Sequence, residues 1–200
     1  MEYINSEQLE LRLRALTVLD MAMTNDDWLR LMSAGREGDL IWHILDNGGG
    51  DRMWVYIKGQ NIVIKGFDHE SDLNQLAADI PNFGFFERVF RGMPSALIRL
   101  FEQDKLDETT FCLWTADGGV TWNENPEDDK DGGKGWLLGY LTDDAKEFHQ
   151  WAEDYYGKEL PFEITEKLVR EGKLSPDELK ALGASDEALQ EIQSYEEIWA

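Results

Sequence analysis

Apolar positions in the first third of the chain favour one helical face. After Ser6 they fall at Leu9, Leu11, Leu13, Leu16, Val18 and Leu19, a mixed spacing that fits a helix. Asn25-Asp26-Asp27 offers caps for a further turn carrying Trp28, Leu29, Leu31 and Met32, which Gly35 ends, so 1–35 reads as an N-terminal helical segment. The period then changes. Leu40–Leu45, Met53–Ile57 and Ile62–Ile64 are short and rich in β-branched and aromatic residues. Links of Asn47-Gly-Gly-Gly50 and Lys58-Gly-Gln-Asn61 predict a three-stranded antiparallel meander.

Beyond it, Ser71 or Asp72 is placed to cap a short helix through Leu73, Leu76 and Ala77, closed before Pro81. Phe83–Phe90 reads as irregular and aromatic, and Pro94 opens a helix through Leu97, Ile98, Leu100 and Phe101. Thr109–Trp114 alternates cleanly and is the clearest strand, turned by Asp117-Gly-Gly119 into Val120-Thr-Trp122. An acidic, glycine-rich loop spans 123–135, and Trp136–Leu141 reads as a last strand. Thr142 or Asp143 then caps an amphipathic helix bearing Phe148, Trp151, Ala152 and Tyr155. The remainder, 161–200, is a helical appendage broken at Gly172, Ser175-Pro176 and 183–185. The expectation is one α+β domain over 1–200, a mainly antiparallel sheet of short strands packed with N- and C-terminal helices. Its core is expected to hold Trp54, Val55, Ile57, Ile62, Ile64, Phe111 and Leu113, with Leu97, Leu100, Phe148 and Trp151.

Composition alters that picture in one respect. A 42% apolar share, with eight Trp, is ample for a core, so the chain is expected to fold despite its charge. The net charge of −22 repels the phosphates of nucleic acids and anionic lipid, and would steer a basic protein toward the surface. Nucleic acid and membrane are therefore not expected partners. The same charge serves solubility alone equally well. The three arginines Arg88, Arg91 and Arg99, interleaved with Phe85, Phe86 and Phe90, are the one place where a basic face could segregate. Cys112 is the sole cysteine, which excludes an intramolecular disulfide and a cysteine zinc site. The first ten residues lack the plan of a signal peptide, and no apolar run approaches the roughly 20 residues that span a bilayer. A reducing cytoplasm is the expected compartment.

Candidate chemistry is sparse. Asp68-His69-Glu70 closes a strand. A histidine between carboxylates suits a general base or metal ligand, and the same residues suit a turn and helix cap. His43, within an apolar strand, and His149, on an amphipathic helix, read as structural, and Cys112 reads as a buried core residue. Setting Gly132 as the turn glycine of a calcium loop puts Glu127, Asp129 and Asp131 at ligand positions. It leaves Leu138 where a bidentate glutamate is required, so the match fails. No spacing for a closed metal site is present and no cofactor is expected. Glu124, Glu127, Asp128, Asp129 and Asp131 concentrate charge between two strands and are the candidate contact for a basic partner.

Four stretches carry a resemblance: 66–71 (GFDHES), 92–94 (GMP), 110–114 (TFCLW) and 151–156 (WAEDYY). In that order they resemble a family of uncharacterised conserved bacterial proteins, over about residues 40–198. Some small acidic proteins of this kind resemble immunity proteins of contact-dependent toxin systems, although no immunity family matches residue by residue. The family carries no established activity to transfer; the expected function, from attraction of a basic target to the acidic surface, is stoichiometric protein binding, with toxin neutralisation as its sharpest form. The competing class is a small hydrolase or nucleotide-handling enzyme using Asp68, His69 and Glu70; a housekeeping role is the third.

Overall fold

A computed structural model describes residues 4–82, 84–101, 106–127 and 130–199. By contacts the chain forms two compact units, one of residues 1–6 and 36–137, the other of 7–35 and 138–200.

The first unit is built on an antiparallel sheet. After β1 (Met32–Glu37), of which residues 32–35 belong to the second unit, its strands are β2 (Leu40–Asp46), β3 (Arg52–Lys58), β4 (Asn61–Phe67), β5 (Phe111–Thr115) and β6 (Asn123–Glu124), side by side in chain order. The expected meander is present as β2–β3–β4, with Lys58 opposite Asn61 across a two-residue turn at Gly59-Gln60. Trp54, Lys65 and Cys112 stand in one cross-strand row, and Val55, Ile64 and Leu113 in the next, facing the opposite way. Gly66 is required where it is. Phe111 lies across it on β5, and a Cβ there would stand 2.1 Å from the ring.

One face of the sheet (Trp54, Tyr56, Val63, Phe67, Cys112, Trp114) is covered by Leu73, Phe85, Val89, Met93, Leu97 and Phe101. Two short helices supply three of these, α2 (Gly84–Val89) giving Phe85 and Val89 and α3 (Ser95–Ile98) giving Leu97. Phe85 and Val89 are one helical turn apart, which is why this aromatic stretch coils rather than running irregularly; Phe83 lies outside the described residues. Lys65 is wholly buried beneath this cover. Its ammonium lies 3.9 Å from the Trp54 ring centroid and donates to the Glu108 carbonyl.

The segment 68–82 is not the expected helix. Ser71 Oγ accepts from Leu73 N–H, Asn74 Oδ1 from Leu76 N–H, and Gln75 Oε1 from Asn82 N–H, so short polar side chains take up backbone groups a helix would use. Val120–Trp122 is likewise unpaired, and the return strand is β6, opposite Leu113 and Trp114. Trp136–Leu141 is helical rather than extended. Asp131 accepts the Gly133 and Gly135 N–H groups and opens α4 (Lys134–Leu137), continued by a 3-10 turn (Leu138–Leu141). Leu137, Leu138 and Leu141 are buried at helical spacing, which a run of six mostly apolar residues does not distinguish from a strand.

The second unit is helical: α1 (Ser6–Met23), α5 (Ala145–Tyr156), α6 (Phe162–Glu171), α7 (Pro176–Leu182) and α8 (Asp186–Glu197). The helical N-terminal segment ends sooner than 35, because Met32–Glu37 is strand and Asp27–Leu29 is only a 3-10 turn. The buried Asp20 carboxylate explains part of this, holding Met32 N–H at 2.8 Å and the Tyr156 hydroxyl at 2.9 Å. Burial raises the Asp20 pKa, opposed by those two bonds. Asp144, one residue beyond the expected cap, accepts from Lys146 and Glu147 N–H. Ser175 and Glu178 form a reciprocal capping box, and Gly157, Gly172 and Gly183 close α5, α6 and α7.

Of the expected core residues, Trp54, Val55, Ile57, Ile62, Ile64, Leu97, Phe111, Leu113 and Phe148 are buried, while Leu100 and Trp151 are half-buried. Among the described residues no helix is long and apolar enough to cross a membrane.

Candidate functional site

Three segments of the first unit converge at one end of the sheet. The first is the β2–β3 turn. There Asn47 Oδ1 accepts from Gly49 and Asp51 N–H, and Gly50 holds a φ of 108°. The second is the exit of β4, where Asp68 N–H donates to Thr110 Oγ1 at 2.9 Å. The third is the turn before α4, tied in by the bond from Thr110 Oγ1 to the Gly132 carbonyl at 2.6 Å.

His69 stands at the centre. Its Nδ1 is 2.7 Å from Asp51 Oδ1, the same oxygen that accepts the His69 N–H at 2.9 Å. Asn47 Nδ2 donates to the other Asp51 oxygen at 2.8 Å. Burial acts against ionisation of Asp51, but the two bonds from His69 and the one from Asn47 outweigh it and hold its pKa below the usual range. The Asp51 bond in turn raises the His69 pKa. Asp68 lies alongside, its Oδ2 accepting from the Trp136 indole at 3.2 Å and its Oδ1 from the Glu70 N–H at 3.0 Å. One ligand atom from each of Asp51, Asp68 and His69 lies within 4.8 Å of the other two. Such an arrangement can accept a proton at an oriented imidazole or hold a cation.

The structure thus brings Asp68 and His69 together with a carboxylate that the local motif does not contain. Glu70 is 85% exposed in its side chain and stands 4.0 Å from His69 Nε2. Asp51 was legible by counting outward from the β3–β4 turn. The register ends with Arg52 opposite Phe67, so Asp51 and Asp68 are the next residues outward at that end of the hairpin.

The acidic loop is placed differently from a free charged surface. Glu127 forms a two-pronged pair with Arg88, at 2.6 and 2.8 Å, which lowers its pKa; Glu124 pairs with Lys134; and Asp131 caps the turn before α4. Asp128 and Asp129 lie outside the described residues. The Glu127 pair also commits Arg88, the first of the three arginines, within the fold.

His43 is buried and its pKa falls to about 3 by desolvation, and burial pushes the Cys112 thiol up to about 12. In the second unit His149 contacts Thr165 Oγ1 at 3.0 Å and stands edge-on to Phe162. These three therefore sit in structural surroundings.

A separate surface lies on 68–82. Leu76 is 57% exposed and Ile80 is 89% exposed, with Ala77 and Pro81 also open to solvent. Glu70, Asp72 and Asp79 accompany them at the surface. Comparison of the chain with protein-family models, with curated proteins and with solved structures finds no match.

Proposed function

We propose that the chain is a stoichiometric protein-binding domain, that its contact surface is the segment 68–82, and that the partner is a basic protein. One observation carries this reading: Leu76 and Ile80 point into solvent from a loop whose backbone is pinned from within. Asn74 Nδ2 donates to the His69 carbonyl at 2.7 Å, Gln75 Nε2 to the Leu73 carbonyl at 3.0 Å, and Asn82 N–H to Gln75 Oε1 at 2.6 Å. Exposed aliphatic side chains on a floppy loop cost ordering entropy when they bind; on a pinned loop that cost is already met. The flanking Glu70, Asp72 and Asp79, within a net charge of −22, favour encounter with a positive surface. Neutralisation of a basic toxin is the sharpest form of this role.

The test is a photo-reactive residue at position 80 in the native cell, followed by purification of the cross-linked protein. Association with that protein should slow steeply as salt rises, and Ile80→Asp and Leu76→Asp should each weaken it by about tenfold or more without lowering thermal stability. A partner that binds both variants as tightly as the parent chain, or no cross-link at position 80, refutes the proposal. Charge reversal at Glu127 is a poor probe, because it breaks the Arg88 pair inside the fold.

A further inference from the structure

We infer that Asp51, Asp68 and His69 form a binding site for a first-row divalent transition cation, with zinc and manganese as the matching sizes. Two carboxylates and an imidazole make a mixed oxygen and nitrogen donor set, which suits such ions better than calcium or magnesium, whose sites are built from oxygen. The three ligand atoms lie within 4.8 Å of one another before any ion is present. Two bonds of about 2.1 Å span at most about 4.2 Å, so at that outer limit the site closes by about 0.6 Å, within reach of a rotation of the Asp68 carboxylate.

The surroundings keep this space clear. Gly50 and Gly133 both hold positive φ, at 108° and 85°. A Cβ on Gly133 would stand 2.5 Å from Asp68 Cβ and 2.6 Å from its Oδ2, and one on Gly50 would stand 3.2 Å from the His69 ring. Two turns from different parts of the chain thus approach with backbone alone where the ligand side chains stand. Both carboxylates are held by outer donors: Asn47 on Asp51 Oδ2, and Trp136 on Asp68 Oδ2 with the Glu70 N–H on Asp68 Oδ1. Outer contacts of this kind orient ligands and strengthen metal sites. The cation takes the place of the proton shared by Asp51 Oδ1 and His69 Nδ1, now 2.7 Å apart. The other imidazoles are poorly placed to compete, His43 being buried and His149 engaged with Thr165 and Glu153.

The experiment is equilibrium dialysis of the whole chain against zinc or manganese, in about 1 M salt with excess magnesium, where screening over about 3 Å suppresses loose binding to the acidic surface. One bound ion per chain is expected, with affinity falling at least about tenfold in His69→Gln and Asp68→Asn and unchanged in His149→Gln. Manganese should also broaden the His69 imidazole resonances of the unsubstituted chain ahead of those of His149, a readout independent of how the variants fold. Unchanged affinity in both His69→Gln and Asp68→Asn, no bound ion in the parent chain, or broadening of His149 first overturns the inference. Retained partner binding by His69→Gln would leave the proposed protein-binding role standing by itself.

Discussion

Gly66→Ala tests the sheet at the point where it has least room. The new methyl carbon would lie 2.1 Å from Phe111 Cε1 and 2.2 Å from Cζ. Ordinary carbon contacts begin near about 3.5 Å, so the ring must retreat by about 1.4 Å. Phe111 is buried and its backbone is fixed in β5 opposite Gly66, so the retreat disturbs packing on both sides. Overpacking of this kind costs about 1–3 kcal/mol, and the gain from replacing a strand glycine by alanine returns only about 0.5–1 kcal/mol. A net loss of about 1 kcal/mol is expected, or about 0.5 M in urea midpoint for a slope of about 2 kcal/mol per molar. The decisive measurement is the double-mutant cycle with Phe111→Ala. That change alone should cost about 3–5 kcal/mol, and in the alanine background the methyl fills part of the vacated space, giving a favourable coupling of about 0.5–3 kcal/mol. Strict additivity, or an unchanged midpoint for Gly66→Ala, would show that Phe111 does not lie over Gly66.

Other expectations are briefer. His43 stays neutral in the folded chain down to about pH 3, while the unfolded chain takes up its proton near 6.5, so it contributes stability above 6.5 that is lost as pH falls toward 3. His43→Gln should flatten that decline, by up to about 1.4 kcal/mol per pH unit in denaturant titrations; an unchanged slope would refute the buried placement. Cys112 should resist a thiol reagent at pH 8 in the native chain and react at once in denaturant, since it is buried and its pKa is pushed up to about 12. Leu113→Ala should cost about 2–5 kcal/mol by urea denaturation, and a midpoint that barely moves would remove Leu113 from the core.

The meander was legible because three signals agreed: β-branched runs, glycine-rich links and a two-residue turn that left one register. The C-terminal helices were legible for a similar reason, with Ser175 and Glu178 spaced as a capping box and glycines at the ends. Two failures were of one kind. Trp136–Leu141 is apolar at five of six positions and Phe83–Phe90 at five of eight, so hydrophobicity alone could not choose between periods, and the deciding groups lay elsewhere: Asp131 for the first, the sheet face under Phe85 for the second. In 68–82 the error was opposite. Ser71 or Asp72 looked like a helix cap, and Ser71 and Asn74 instead spend their side chains on local turns. At the candidate site Asp68 and His69 stood out as neighbours, whereas Asp51 carries no local signal, because its partnership depends on the hairpin between the two.

The second unit is discontinuous in the chain, with 7–35 made first and 138–200 made last. During synthesis α1 leaves the ribosome with Leu9, Leu13, Leu16 and Leu19 still seeking cover, and with Asp20 awaiting the Tyr156 hydroxyl. Tyr156 lies 136 residues beyond Asp20, so that partner arrives after a delay of roughly 7–27 s at ordinary elongation rates. Residues 36–137 have that interval to fold, while α1, whose buried positions run unbroken from Ala15 to Asp20, is a nascent apolar segment open to chaperones. A stop codon anywhere before the last helices would therefore strand it permanently, and such truncated chains should be cleared by proteolysis even where the sheet has formed.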